Sequence, residues 1–171
     1  MAMSVMDEKG YTLIELAVVV ILLGLIFTIA TPRIRESLFR DNLKGATRHI
    51  VGLITELRDE AIREHKDYIL HFDLESSRFW YDSPSMTEEE RARAAADASP
   101  LPGEVRIMDV WFSGKGKIML GEAAIRINKK GYIEQSVIHL GTEDSREFTL
   151  LLSPFLRRIE VYDKYVEFEE I

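Results

Sequence analysis

From Leu13 to Thr31 the chain holds one continuous apolar stretch, LIELAVVVILLGLIFTIAT, in which Glu15 is the single charged residue. At ~1.5 Å per residue a helix of that stretch is roughly 28 Å long, close to the ~30 Å hydrocarbon core of a bilayer. A core helix of a water-soluble domain keeps a polar face, and this run has none. The pattern predicts a membrane helix. Pro32 follows directly, and its missing N–H predicts a kink or a short break there. Beyond it the period changes. Leu43, Ala46, Ile50, Leu53, Ile54, Leu57 and Ala61 recur at three- and four-residue steps, while Arg40, Lys44, Arg48, Glu56, Asp59 and Arg63 fall largely elsewhere. That is an amphipathic helix with one apolar stripe, expected to pack on the protein's own sheet. Gly45 and Gly52 weaken it by about 1 kcal/mol each relative to alanine.

After His65 the pattern turns to strands. Tyr68–Asp73 and Arg78–Tyr81 are β-rich runs around Leu74–Ser77, a hairpin by pattern. Between Asp82 and Gly103 regularity is weakest: a short helix from Met86 to Ala96 is expected, capped by Thr87 with Glu90, before Ser99-Pro100-Leu101-Pro102-Gly103 breaks it. Further strands are expected at Glu104–Phe112, Ile118–Leu120, Ala124–Ile127, Tyr132–Leu140, Phe148–Leu152, Arg158–Tyr162 and Tyr165–Phe168. Ser113–Lys117, Asn128–Gly131 and Asp163-Lys164 form the turns. One long helix followed by about seven or eight strands gives an α+β fold, the helix packed on a largely antiparallel sheet or sandwich head.

Charge and composition narrow the function. The 171 residues leave room for one soluble domain behind the apolar helix. The net charge is −7, and an acidic head argues against nucleic acid as a partner, since phosphate binding needs clustered lysine and arginine. The absence of cysteine removes disulfides, lipoprotein acylation and thiolate metal sites. The apolar run is longer than the h-region of an ordinary secretory signal, and no A-x-A site follows it. Catalytic chemistry is not visible. His49, His65, His71 and His139 show no tight ligand spacing, and Ser113-Gly114-Lys115-Gly116-Lys117 lacks the full phosphate-loop spacing. No nucleophile, base and orienter can be named together. Neither a metal nor a cofactor is expected.

The residues entering the apolar run carry a resemblance. Gly10-Tyr11-Thr12-Leu13-Ile14-Glu15-Leu16 closely resembles the type IV prepilin signature, a glycine followed by an aromatic and Thr-Leu-Ile-Glu, although phenylalanine is usual where Tyr11 stands. The resemblance implies cleavage between Gly10 and Tyr11 by an inner-membrane prepilin peptidase and methylation of the new amine on Tyr11. It also implies that Glu15 neutralises a neighbouring subunit's N-terminal amine, a pairing with a physical reason because either charge alone is costly in hydrocarbon. Leu57-Arg58-Asp59-Glu60-Ala61-Ile62-Arg63, followed by a hairpin containing Trp80, is similar to the GspH/FimT branch of pseudopilins, as is Ile127-Asn128-Lys129-Lys130-Gly131-Tyr132. Arg58, Glu60 and Arg63 themselves read as a solvated helix face with local ion pairs.

The implied organisation is a leader over 1–10, a transmembrane helix half over 11–31, an amphipathic periplasmic half over 32–66 and a β-rich periplasmic head over 67–171. The implied function is that of a minor pseudopilin, a structural subunit of the pseudopilus of a type II protein secretion system in the bacterial inner membrane. Its implied partners are other major and minor pseudopilins, the prepilin peptidase/methyltransferase and inner-membrane lipid. Alternatives are a minor pilin of a type IV pilus or DNA-uptake system and, from another class, a membrane-anchored periplasmic binding protein or enzyme.

Overall fold

The computed structural model describes residues 13–154 and 158–168, with the side chains of 27–41 outside the description. The chain forms two compact units, one ending at Leu38 and the other beginning at Phe39. A single helix, α1, runs Leu13–Glu64. It continues through Pro32 without interruption, so the short break expected there is not found. It ends where His65 adopts a left-handed conformation (φ 55°) and Lys66 N–H donates to Ala61 O at 3.3 Å.

In the second unit, Leu43, Ala46, Ile50, Ile54, Leu57 and Ala61 are buried, with Leu53 partly buried against the same core. The expected stripe therefore packs as expected, on the protein's own sheets. Two antiparallel sheets supply the rest. β1 (Tyr68–Asp73) and β2 (Arg78–Asp82) form the predicted hairpin. With β3 (Ser99–Pro100) and β6 (Glu122–Ile127) they make a four-stranded sheet in the order β3-β2-β1-β6. The second sheet has the order β5-β4-β7-β8-β9, from β4 (Arg106–Phe112), β5 (Gly116–Ile118), β7 (Ser136–Gly141), β8 (Glu147–Leu152) and β9 (Glu160–Tyr162). Leu70, Phe72, Ile125 and Ile127 from the first sheet and Val110, Phe112, Ile138, Leu140 and Leu150 from the second join the helix in one hydrophobic cluster. Each such side chain taken out of water contributes about 1.5–3 kcal/mol before ordering costs.

The departures from expectation have local causes. α2 (Glu88–Ala96) carries the expected capping box, Thr87 with Glu90, yet buries none of its residues. Ser99–Pro100, expected to be a breaker, is instead a two-residue edge strand against β2, a place where proline's missing donor is harmless. The short strand expected at Ile118–Leu120 forms two residues earlier, because Gly116 and Lys117 pair with Phe112 and Trp111.

The long strand expected over Tyr132–Leu140 begins only at Ser136. After the Asn128–Gly131 turn, Ile133 makes one bridge to Ile127, and the chain then leaves the first sheet for the second. The strand expected at Tyr165–Phe168 is absent for a different reason. Its backbone is bonded by side chains, as Thr149 Oγ1 donates to Lys164 O (2.8 Å) and accepts from Val166 N–H (3.0 Å).

Candidate assembly surface

Leu13–Ile26 of α1 is exposed throughout. Leu13 is 89% exposed, Ile14 73%, Ile21 63% and even the least exposed large residue, Val19, 46%. A continuous apolar surface of this kind exceeds the patches tolerated by monomers in water, so it needs lipid or other helices around it. Glu15 stands in the first described turn of α1, where the helix dipole favours a negative charge. No helix among the described residues is long and apolar enough to cross a membrane. The expected span is wider than the described part, since residues 11–12 and the side chains of 27–31 lie outside it. Gly10 and Tyr11, the expected processing pair, also lie outside the described residues, and the kink expected at Pro32 remains an expectation.

The two segments that carry the GspH/FimT resemblance meet in space. Gly131 (φ 79°) lies so close to the end of α1 that a Cβ built there would be 2.7 Å from Ile62 Cδ1 and 3.4 Å from Arg58 Cγ. Asn128 Oδ1 accepts from the N–H groups of Lys130 (2.9 Å) and Tyr132 (3.0 Å), and Asp67 Oδ1 accepts from Lys129 N–H at 2.7 Å. On the helix face, Arg63 pairs with Glu60 at 3.2 Å in an exposed setting, the local ion pair expected there. Such pairs contribute only tenths of a kcal/mol.

Several titratable groups of the head are occupied in local structure. His71 lies between Glu122 (Nδ1–Oε1 2.5 Å) and Asp82 (Nε2–Oδ2 3.3 Å) and stacks on Trp80 at 5.1 Å. Lys115 pairs with Glu134 and Lys117 with Glu167, so the glycine-lysine segment at 113–117 is a hairpin turn and the start of β5, and both its lysines have partners. Burial, and then the Glu64 carboxylate that accepts from its hydroxyl, push the Tyr68 phenol up to about 12. Among the described residues no group of three His, Cys, Asp or Glu side chains is set to hold a metal.

A cleft of about 330 Å³ lies between α1 and α2, lined by His49, Leu53, Phe79, Tyr81, Met86 and Ala94 among others. Asp97 and Ser99 also line it, and among the described residues neither side chain is hydrogen-bonded to His49.

Sequence reasoning missed one cluster, built from residues far apart in the chain. Asp109, Lys117, His139, Thr149 and Tyr165 converge on the outer face of the second sheet beneath residues 163–168. A register shift between Ile107 and Asp109 sets which face Asp109 takes, and nothing in the sequence signalled that a later segment would cover it and His139.

Comparison with known proteins places these features in context. Residues 5–31 match the family described as "Prokaryotic N-terminal methylation motif". The chain is 26% identical over 150 residues to type II secretion system protein H of Pseudomonas aeruginosa, covering 85% of this chain and 83% of that protein. Two solved structures of the minor pseudopilin EpsH from the type II secretion system of Vibrio cholerae are also similar. One has a TM-score of 0.49 at 13% identity over 72% of this chain and 98% of that one; the other has 0.47 at 14%, over 68% and 96%. The chain thus carries an N-terminal methylation motif and is similar to a type II secretion protein H over most of its length, the two resemblances found in its sequence.

Proposed function

We propose that this chain is a minor pseudopilin of the H type, a structural subunit of the pseudopilus of a type II secretion system. The observation that carries the reading is the methylation motif over residues 5–31, which runs directly into a helix whose described side chains are apolar and exposed from Leu16 to Ile26. A surface of that kind is stable first in a bilayer and then among other helices of the same kind. The prepilin peptidase removes residues 1–10 and methylates Tyr11. The helix waits in the inner membrane with the head in the periplasm, then enters the filament by packing against the helices of other major and minor pseudopilins. Glu15 meets a neighbour's N-terminal amine there, and each charge offsets the other's desolvation. Pro32 gives the helix a bend between its membrane and head halves. The head folds on its own core and presents surface to neighbouring subunits, so the role is assembly rather than catalysis.

The natural chain has no cysteine, which makes an introduced one a unique reporter. Val19→Cys should form disulfide cross-links with cysteines placed in the apolar helices of co-expressed pseudopilins, and those links should depend on Glu15. Cross-links only to type IV pilus subunits would move the chain to that machine. A Val19→Cys chain that stays uncross-linked while the filament assembles would remove the filament role.

A further inference from the structure

The C-terminal segment Asp163–Phe168 lies on the outer face of the second sheet and is held there by side chains rather than by a strand ladder. Thr149 supplies two of the contacts, to Lys164 O and Val166 N–H. Tyr165 supplies a third, its hydroxyl donating to Asp109 Oδ2 at 3.0 Å while accepting from Lys117 Nζ at 2.7 Å. The fourth is His139, 1% exposed, with Nδ1 2.6 Å from Asp109 Oδ1, Nε2 3.0 Å from Val166 O and its ring stacked 3.9 Å from that of Tyr165.

Donor and acceptor roles fix the proton inventory. A backbone carbonyl can only accept, so Nε2 must donate to Val166 O. Asp109 accepts on Oδ2 from Tyr165, and an Asp109 carboxylate also accepts on Oδ1, so that with this acid ionised Nδ1 donates as well. Only the imidazolium donates from both nitrogens. The groups facing the ring and its immediate partners are Asp109 from β4, Lys117 from β5, Thr149 from β8, and Tyr165 and Glu167 from the segment itself. Lys117 is held charged, its pKa raised chiefly by the bond to Tyr165 and then by that to Glu167. Tyr165 is held neutral, its pKa raised chiefly by burial.

We propose that His139 is a proton-dependent latch for the C-terminal segment, holding Asp163–Phe168 more tightly on the sheet as an imidazolium and loosening it when the ring loses a proton. On deprotonation one N–H remains. It stays with the Asp109 carboxylate, the stronger acceptor, and leaves the Nε2 lone pair facing the lone pairs of Val166 O. Loosening opens the face lined by Trp111, Val137 and His139, where a cleft of about 300 Å³ already reaches Phe168. A device of this kind does not depend on the filament reading.

The test is amide hydrogen exchange on the full-length chain in detergent, read at Val166 N–H and corrected for the intrinsic pH dependence of exchange. Between about pH 5 and about pH 8 protection should fall roughly tenfold or more, the scale of one charge-assisted hydrogen bond, while the amides of β7 hold theirs. Ring nitrogen shifts of His139 should show the imidazolium at the lower pH. In His139→Gln the pH dependence at Val166 should vanish. Equal protection at the two pH values, loss in parallel with β7, or a pH dependence that survives in His139→Gln would each overturn the latch.

Discussion

In the head, Leu43, Ile50, Ile54 and Leu57 of α1 are no more than 1% exposed, whereas in Leu13–Ile26 of the same helix the large apolar residues are 46–89% exposed. The apolar residues of the two stretches are of similar kinds, but the head stretch sets charged residues such as Lys44, Arg48, Glu56 and Asp59 between them, whereas Leu13–Ile26 has Glu15 alone. The head stretch repeats its apolar positions every three or four residues and finds two sheets to cover them. The N-terminal stretch is apolar on every side, so no single sheet could cover it, and its burial must come from outside the chain. One part of the helix therefore completes a fold, and the other stays exposed.

The sharpest way to break this contrast is a pair of truncations. Phe72→Ala, at a site 0% exposed, should lower head stability by about 3–5 kcal/mol in denaturant unfolding. Leu22→Ala, at a site 53% exposed, should move it by less than about 0.5 kcal/mol. A comparable loss from Leu22→Ala would mean that the exposed stretch is part of the folded core. Glu15→Ala should leave head stability and membrane insertion unchanged yet reduce incorporation into filaments, read by cross-linking in membranes. Wild-type incorporation would remove the amine-pairing role.

A smaller effect sharpens the account of the head alone. Tyr68 has its phenol pushed from the ordinary 10 up to about 12, so the folded state holds this proton more tightly than the unfolded chain. Its contribution is complete below pH 10 and is lost as pH rises toward about 12. Tyr68→Phe should flatten the fall in denaturation midpoint across that window, and an unchanged slope would place the alkaline sensitivity elsewhere. Smallest and most local is the cap of α2. Thr87→Ala should cost about 1 kcal/mol and speed amide exchange across Glu88–Ala96 while leaving β7 untouched.

Much of this was legible in the sequence because the signals are local. The β1–β2 hairpin, the Thr87–Glu90 cap and the Leu43–Ala61 stripe each rest on a period or spacing within a few residues. The sheet switch after Ile133 was not legible, since an apolar run such as Tyr132–Leu140 does not reveal which sheet will pair with it. The fate of Tyr165–Phe168 was hidden for the same reason. Its alternation fits a strand, but its backbone partners are Thr149 and His139, which are 17 and 27 residues from Val166 in sequence. Gly10, Tyr11 and Glu15 were legible only as a motif, because the roles proposed for them depend on an enzyme and on neighbours that no internal packing records.

The most direct measurement is the mass of the N-terminal peptide of the protein extracted from native membranes with an active prepilin peptidase. The account predicts a peptide beginning at N-methylated Tyr11. A peptide still carrying residues 1–10 would contradict it and reduce the apolar helix to a simple anchor.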